Sequence, residues 1–260
     1  MSLVEIKSLT ITNTKGESHM AKSMVYVKTY PDENYVVSSG IGFRLFYDSL
    51  QNKPRNMLLL SNAFAKAKID SDIFLEYADP STIPLLYQDD IYNYGDFCWV
   101  DYEYDEDKKK ISNQTLAELL YLNHYKKPLH TPFWKDLNNE YAYLSHDDDW
   151  WMKVYLHNTD IMKTVMHNKI LSELKGRKKD IANIEGSILD DIWQYGGYGL
   201  AFDFDNKQNT SDYTGVRFYQ LGTFENMDEM QRHLYWLRGK LVDEGGWLEY
   251  SARKKTWKIY

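Results

Sequence analysis

The stretch Glu140-Tyr141-Ala142-Tyr143-Leu144-Ser145-His146-Asp147-Asp148-Asp149-Trp150-Trp151-Met152-Lys153-Val154-Tyr155-Leu156-His157 decides the reading of this chain. Residues 140–145 and 150–156 read as strands around the turn His146-Asp147-Asp148-Asp149, since carboxylates at a hairpin tip bond their own backbone and remain solvated. Alternation sends Trp150, Met152, Val154 and Leu156 to one face and Trp151, Lys153, Tyr155 and His157 to the other. The first set is uniformly apolar and belongs in a core. The second mixes large aromatics with cationic groups, which suits a half-exposed recognition surface, and Asp148 at the tip supplies a polar rim.

A hairpin needs further strands, and the sequence offers them. Met24–Tyr30 is β-branched and aromatic, and Pro31-Asp32-Glu33-Asn34 is a turn. Ile41, Phe43, Leu45 and Tyr47 fall at period two and predict another strand. So do residues 97–105, with Cys98, Val100, Tyr102 and Tyr104 on one side, and the run Tyr198, Leu200, Phe202 and Phe204. Trp247–Tyr250 against Thr256–Ile259 predicts a closing hairpin, and Val4, Ile6, Leu9 and Ile11 an opening strand.

Helices are expected over 54–69 (Met57, Leu60, Phe64 and Ala67 on one face), 81–94, and 115–124, where Thr115 and Glu118 form a capping-box pattern. Three more follow: from Asn158 or Thr159 through Lys175, over 186–195 before Gly196-Gly197, and from Asn226 along Met230, Leu234, Leu237 and Leu241. These elements predict an α+β protein with a mainly antiparallel sheet and helices packed on one face.

The two halves of the chain resemble each other. Asp89-Asp90-Ile91-Tyr92-Asn93-Tyr94-Gly95 lies against Asp190-Asp191-Ile192-Trp193-Gln194-Tyr195-Gly196, and the strands that follow share a pattern. Phe43–Tyr47 lies against Met152–Leu156, and Leu120-Tyr121 against Leu234-Tyr235, in the same order. The reading is an internal duplication into halves 1–128 and 129–260, meeting near the proline-bearing segment 126–132. A chain of 260 residues allows one large domain or two packed ones.

Composition narrows the function. A 43% hydrophobic content supports a sizeable core, and 22 Tyr and 8 Trp favour half-buried sheets and interfaces. Net charge is −7, and the densest basic run, Lys175-Gly176-Arg177-Lys178-Lys179, is a short loop after a helix. Nucleic-acid binding draws on a Lys and Arg surface that is missing here, whereas a basic partner protein is electrostatically favoured. A single cysteine, Cys98, excludes an intrachain disulfide framework and a multi-thiolate zinc site. No apolar run is long enough to span a bilayer, so a cytoplasmic protein without membrane contact is expected.

No hydrolase, zincin or phosphate-loop motif occurs. Tyr195-Gly196-Gly197-Tyr198-Gly199 precedes a strand, the wrong order for cradling phosphate. His146 and His157 sit at opposite ends of a strand, roughly 20 Å apart, so they do not share a metal with the aspartates of the turn. Neither a metal nor another cofactor is expected. The sequence therefore favours a non-catalytic, partner-neutralising protein-binding module using Trp151, Tyr155, His157 and Asp148. The alternative is a hydrolase-like enzyme, with or without a metal, using Asp90 and Asp191 with histidine at the cleft between the halves.

Overall fold

A computed structural model describes residues 24–60, 64–89, 96–121, 129–146, 151–175, 181–224, 229, 232–233 and 245–260. β-Branched and aromatic residues cluster in several of the strands, β1 (Met24–Tyr30), β2 (Tyr35–Ser39) and β6 (Phe97–Tyr102) among them; β3 (Asn56–Leu60), β4 (Lys68–Ile69) and β5 (Glu76–Ala78) carry fewer. The rest are β7 (Tyr141–His146), β8 (Trp151–Leu156), β9 (Leu200–Asn209), β10 (Tyr213–Gln220), β11 (Gly245–Ser251) and β12 (Thr256–Ile259). All join one antiparallel sheet in the order β12-β11-β10-β9-β1-β2-β8-β7-β6-β3-β5-β4. The protein is α+β.

The helices are α1 (Phe43–Ser49), α2 (Ile83–Gln88), α3 (Asn113–Tyr121), α4 (Ile161–Leu174) and α5 (Gly186–Trp193). They cover both faces, which corrects the expectation of a single helical face. Val25, Val27, Val36, Met152 and Val154 pack under Phe43 and Phe46 of α1 and Met162, Val165 and Ile170 of α4. On the opposite face Cys98, Val100 and Leu144 pack under Leu119 of α3 together with Trp134 and Leu137. A second patch there gathers Met24, Tyr26, Trp151, Ala201 and Tyr219, with Phe224 against it. Each such buried apolar side chain contributes roughly 1.5–3 kcal/mol.

Two expected elements change type. Ile41–Tyr47 is no strand: β2 ends at Ser39, and Gly40 takes φ +77 where a Cβ would sit 2.0 Å from the Met24 carbonyl oxygen. The chain turns there, and α1 buries Phe43 and Phe46 at helical spacing. The described residues of 54–69 include β3 and β4 in place of a helix. All five residues of β3 are buried, on both faces of the sheet, so the segment carries no alternation and mimics a helical apolar run. The predicted capping box also shifts. Ser112 Oγ accepts the Thr115 N–H at 3.1 Å, and Glu118 instead receives Thr131 Oγ1 at 2.6 Å and Trp134 Nε1 at 3.2 Å.

β10, which the sequence expectation lacks, joins β9 to the closing hairpin. Residues 4–11, most of the 226–241 helix and the 126–128 part of the expected boundary fall outside the described residues. The strands of the two halves interleave: β7 and β8 stand between β2 and β6. β6 and β9 each stand fourth from an end of the sheet, β6 beside β7 and β9 beside β1. Phe43–Tyr47 and Met152–Leu156 are not equivalent, the first being helix and the second strand.

Candidate functional site

Asp148 and Asp90 lie outside the described residues. Asp191 is exposed on α5, where its neighbour Asp190 bonds Lys163 Nζ at 3.0 Å. Trp151 and Tyr155 are each only 2% exposed, which corrects the reading of their face as an open recognition surface. Trp151 stacks on Tyr26 with ring centroids 5.9 Å apart, and the Tyr155 hydroxyl accepts the Leu129 N–H at 3.0 Å. The segments around Leu129 and Phe224 cover what alternation alone left open. His157 is exposed and stacks on Phe133 at 3.8 Å, while His146 bonds Asp96 at 2.7 Å. The three predicted binding residues that are described, Trp151, Tyr155 and His157, do not form one open surface.

A cleft of about 860 Å³ is lined by residues from 49–55, 101–103, 138–141 and 156–164, and its charged lining is Lys53, Arg55, Asp101, Glu103, Glu140 and Asp160. Asp101 is buried there. Burial pushes its carboxyl up to about 7 against the opposing pull of backbone N–H groups, those of Glu140, Tyr141 and Asp101 itself. Both oxygens are engaged: Glu140 N donates to each (3.1 and 3.0 Å) and Tyr141 N to Oδ1 at 2.8 Å. Asp101 thus anchors the start of β7 to the end of β6. Among the described residues no group of three or more His, Cys, Asp or Glu side chains could hold a metal ion.

A different feature stands at the sheet's edge, where β4 and β5 are joined by Asp70–Leu75. The turn closes by Asp70 N–H to the Leu75 carbonyl (3.0 Å) and Phe74 N–H to the Asp70 carbonyl (2.8 Å). Asp70 Oδ1 also accepts the N–H of Asp72 at 2.9 Å. Phe74 is held at φ +55, a left-handed conformation uncommon for a bulky side chain. Its ring is 83% exposed, and Ile69 beside it is 69% exposed.

Beneath the turn lies Lys108, with 2% side-chain exposure, its ammonium 3.1 Å from Asp70 Oδ2 and 2.7 Å from Asp105 Oδ1. The same ammonium sits 3.4 Å from the centre of the Tyr77 ring. Burial by itself would depress this lysine, but the bonds to Asp105 and Asp70 reverse that and raise it above its usual value. Asp70 is held below the usual carboxylate range because the Asp72 N–H and Lys108 outweigh its desolvation. The turn is therefore braced from below by the buried Asp70–Lys108 pair; Leu75 is buried and Ile73 packs against the core, while Phe74 points outward.

Known proteins offer no guide: no family model, no curated protein and no solved structure matches this chain.

Sequence reading missed the tip because nothing in Ser71-Asp72-Ile73-Phe74 marks Phe74 as exposed. Its one legible signal was the Asp70-Ser71-Asp72 turn chemistry. No helix among the described residues is long and apolar enough to cross a membrane.

Proposed function

We propose that this chain is a non-catalytic protein-binding module whose partner docks on the β4–β5 tip. One observation carries the reading: Phe74, 83% exposed, is held on strained backbone by its bond to Asp70, which is itself paired with buried Lys108. Single exposed hydrophobics are ordinary. Strain is different, because it persists only where surrounding structure over-determines it, and it gathers at functional sites. A rigid aromatic also loses little entropy on docking.

The partner presents an apolar socket with a basic rim. Asp72 and Glu106 are exposed and Glu76 half-exposed around the tip, and the chain's net charge of −7 favours a basic approach. Strand addition fits less well, since β4 has only two residues and one is lysine, both features that blunt an edge. The enzyme alternative is weaker, because both oxygens of the one buried cleft carboxylate already hold backbone.

A cytoplasmic setting and descent of the two halves from a duplication also belong to this reading. The first is supported by the lone buried thiol, Cys98, and the second by the matching places of β6 and β9.

The test places a photo-crosslinking phenylalanine analogue at position 74 and, separately, at the exposed Tyr198, in the source cell. A discrete adduct with a basic protein from position 74 alone, suppressed by salt, is expected. Equal adduct patterns from both positions, or none, would overturn the reading.

A further inference from the structure

At the middle of the sheet, on the face away from α1 and α4, three neighbouring strands set their side chains in rows. Lys28, Val37 and Lys153 form one row across β1, β2 and β8. Tyr30, Tyr35 and Tyr155 form the next, and Tyr26, Ser39 and Trp151 the row on the other side. Two inter-strand steps separate the Lys28 and Lys153 backbones by roughly 10 Å.

Burial singles out this spot. Tyr26, Ser39, Trp151 and Tyr155 are buried, whereas Lys28, Tyr30, Tyr35, Val37 and Lys153 are all half-buried and contiguous. The buried patch under Leu129 and Phe133 borders one side, and the patch under Phe224 borders the other. A window onto the sheet remains between them.

Both lysines lean on aromatic rings. The Lys153 ammonium is 4.0 Å from the Tyr35 ring centre and 4.9 Å from that of Tyr155, and Lys28 is 5.3 Å from Tyr30. Lys28 also donates to the Gly197 carbonyl. No carboxylate among the described residues is within ion-pair distance of either. The charge that acts on Lys153 is Glu33, in the turn between β1 and β2, and Glu33 is engaged by the Tyr35 hydroxyl. Facing groups from the other strands are the hydroxyls of Tyr30 and Tyr155, the first bonded to Thr223 and the second to Leu129 N.

Rings satisfy an ammonium in part, because the quadrupole attracts charge but accepts no directed hydrogen bond from all three N–H groups. Two cations set on one face over a floor of valine and tyrosine, without a counter-charge in contact, form a receptor for an oxyanion on a flat apolar body.

We propose that this window binds a small aryl or similarly flat anion, its carboxylate or phosphate held by Lys153 and Lys28 and its body lying on Val37, Tyr30 and Tyr35. The site is independent of the tip: partner docking at Phe74 neither requires nor supplies it. Burial already lowers the Lys153 ammonium to about 8, so binding weakens as pH rises through that value and the cation is lost.

Benzoate, phenyl phosphate and inorganic phosphate are the probes, titrated into the full chain labelled with 13C at lysine Cε. Saturable binding of benzoate or phenyl phosphate below about 10 mM is expected, weakening above about pH 8, with the Lys153 signal titrating at higher pH in the complex. Benzoate alone identifies a carboxylate site, and phenyl phosphate alone a phosphate site. Lys153→Met abolishes binding, Lys28→Met weakens it about tenfold, and Lys153→Arg restores it without a titration in that range. Lys109→Ala, far from the window in sequence and exposed, binds as the unaltered chain does. Absence of saturation with all three probes, or undiminished binding by a folded Lys153→Met chain, would overturn the proposal. Inorganic phosphate binding as tightly as phenyl phosphate would overturn the flat body.

Discussion

Lys108 and Lys153 both rest on tyrosine rings inside the same sheet, yet they end in opposite electrostatic states. Lys108, beside the edge strands, has two carboxylates at 3.1 and 2.7 Å and is raised above its normal value. Lys153, on a central strand, has rings alone at close range and is lowered to about 8. A buried cation must be neutralised by partners or made easier to deprotonate. The edge lysine is thus completed internally and works as a brace. The central one still has hydrogen-bonding capacity to offer, which is why a ligand is sought there and a partner surface above Lys108.

The largest effect is expected from breaking the completed lysine. Lys108→Met leaves Asp70 buried beside an apolar chain and should cost about 3–5 kcal/mol in denaturant unfolding. It should also abolish the position-74 adduct under conditions where the variant remains folded. A cost below about 1 kcal/mol would show that the network is a surface pair and braces nothing.

Phe74→Gly separates strain from recognition. Relieving a left-handed phenylalanine should stabilise the chain by about 1 kcal/mol, while docking is lost with the ring. Thermal unfolding reads the first and competition for the adduct the second. Destabilisation would mean that the ring packs against something in its own chain.

Lys153→Met should leave the chain at least as stable at pH 7, because the deleted charge strands no partner and its burial no longer opposes folding. The sign of its pH dependence is distinctive. With the folded value below the unfolded one, stability rises between about pH 8 and 10, where the unfolded chain holds the extra proton. Lys108, raised on folding, contributes nothing of that slope. Stability curves of the two chains should therefore diverge between pH 8 and 10, the gain being absent from Lys153→Met. Parallel curves would place the Lys153 ammonium in water.

Several local readings hold. The β7–β8 and β11–β12 hairpins and the helix α4 lie where alternation, turn residues and helical spacing put them. The Asn158 side chain accepts the Asp160 N–H at 2.9 Å at the expected entrance to α4. Such signals are carried by a dozen consecutive residues or fewer, and no distant contact overrides them. Where burial is two-sided or a glycine redirects the chain, as in β3 and α1, the local signal has the wrong period or none.

The face holding Trp151, Lys153, Tyr155 and His157 shows the division most clearly. Period two alone determined that these four share a face. Which of them meets solvent depended on coverage by residues near 129 and 224, and on the neighbour that sets Lys28 beside Lys153 in the same row. The bond between Asp70 and Lys108 is of the same kind. Side-chain direction is set by the residue's own backbone, but burial and charge pairing are properties of whatever the fold brings across from elsewhere, so only the tertiary structure decided them.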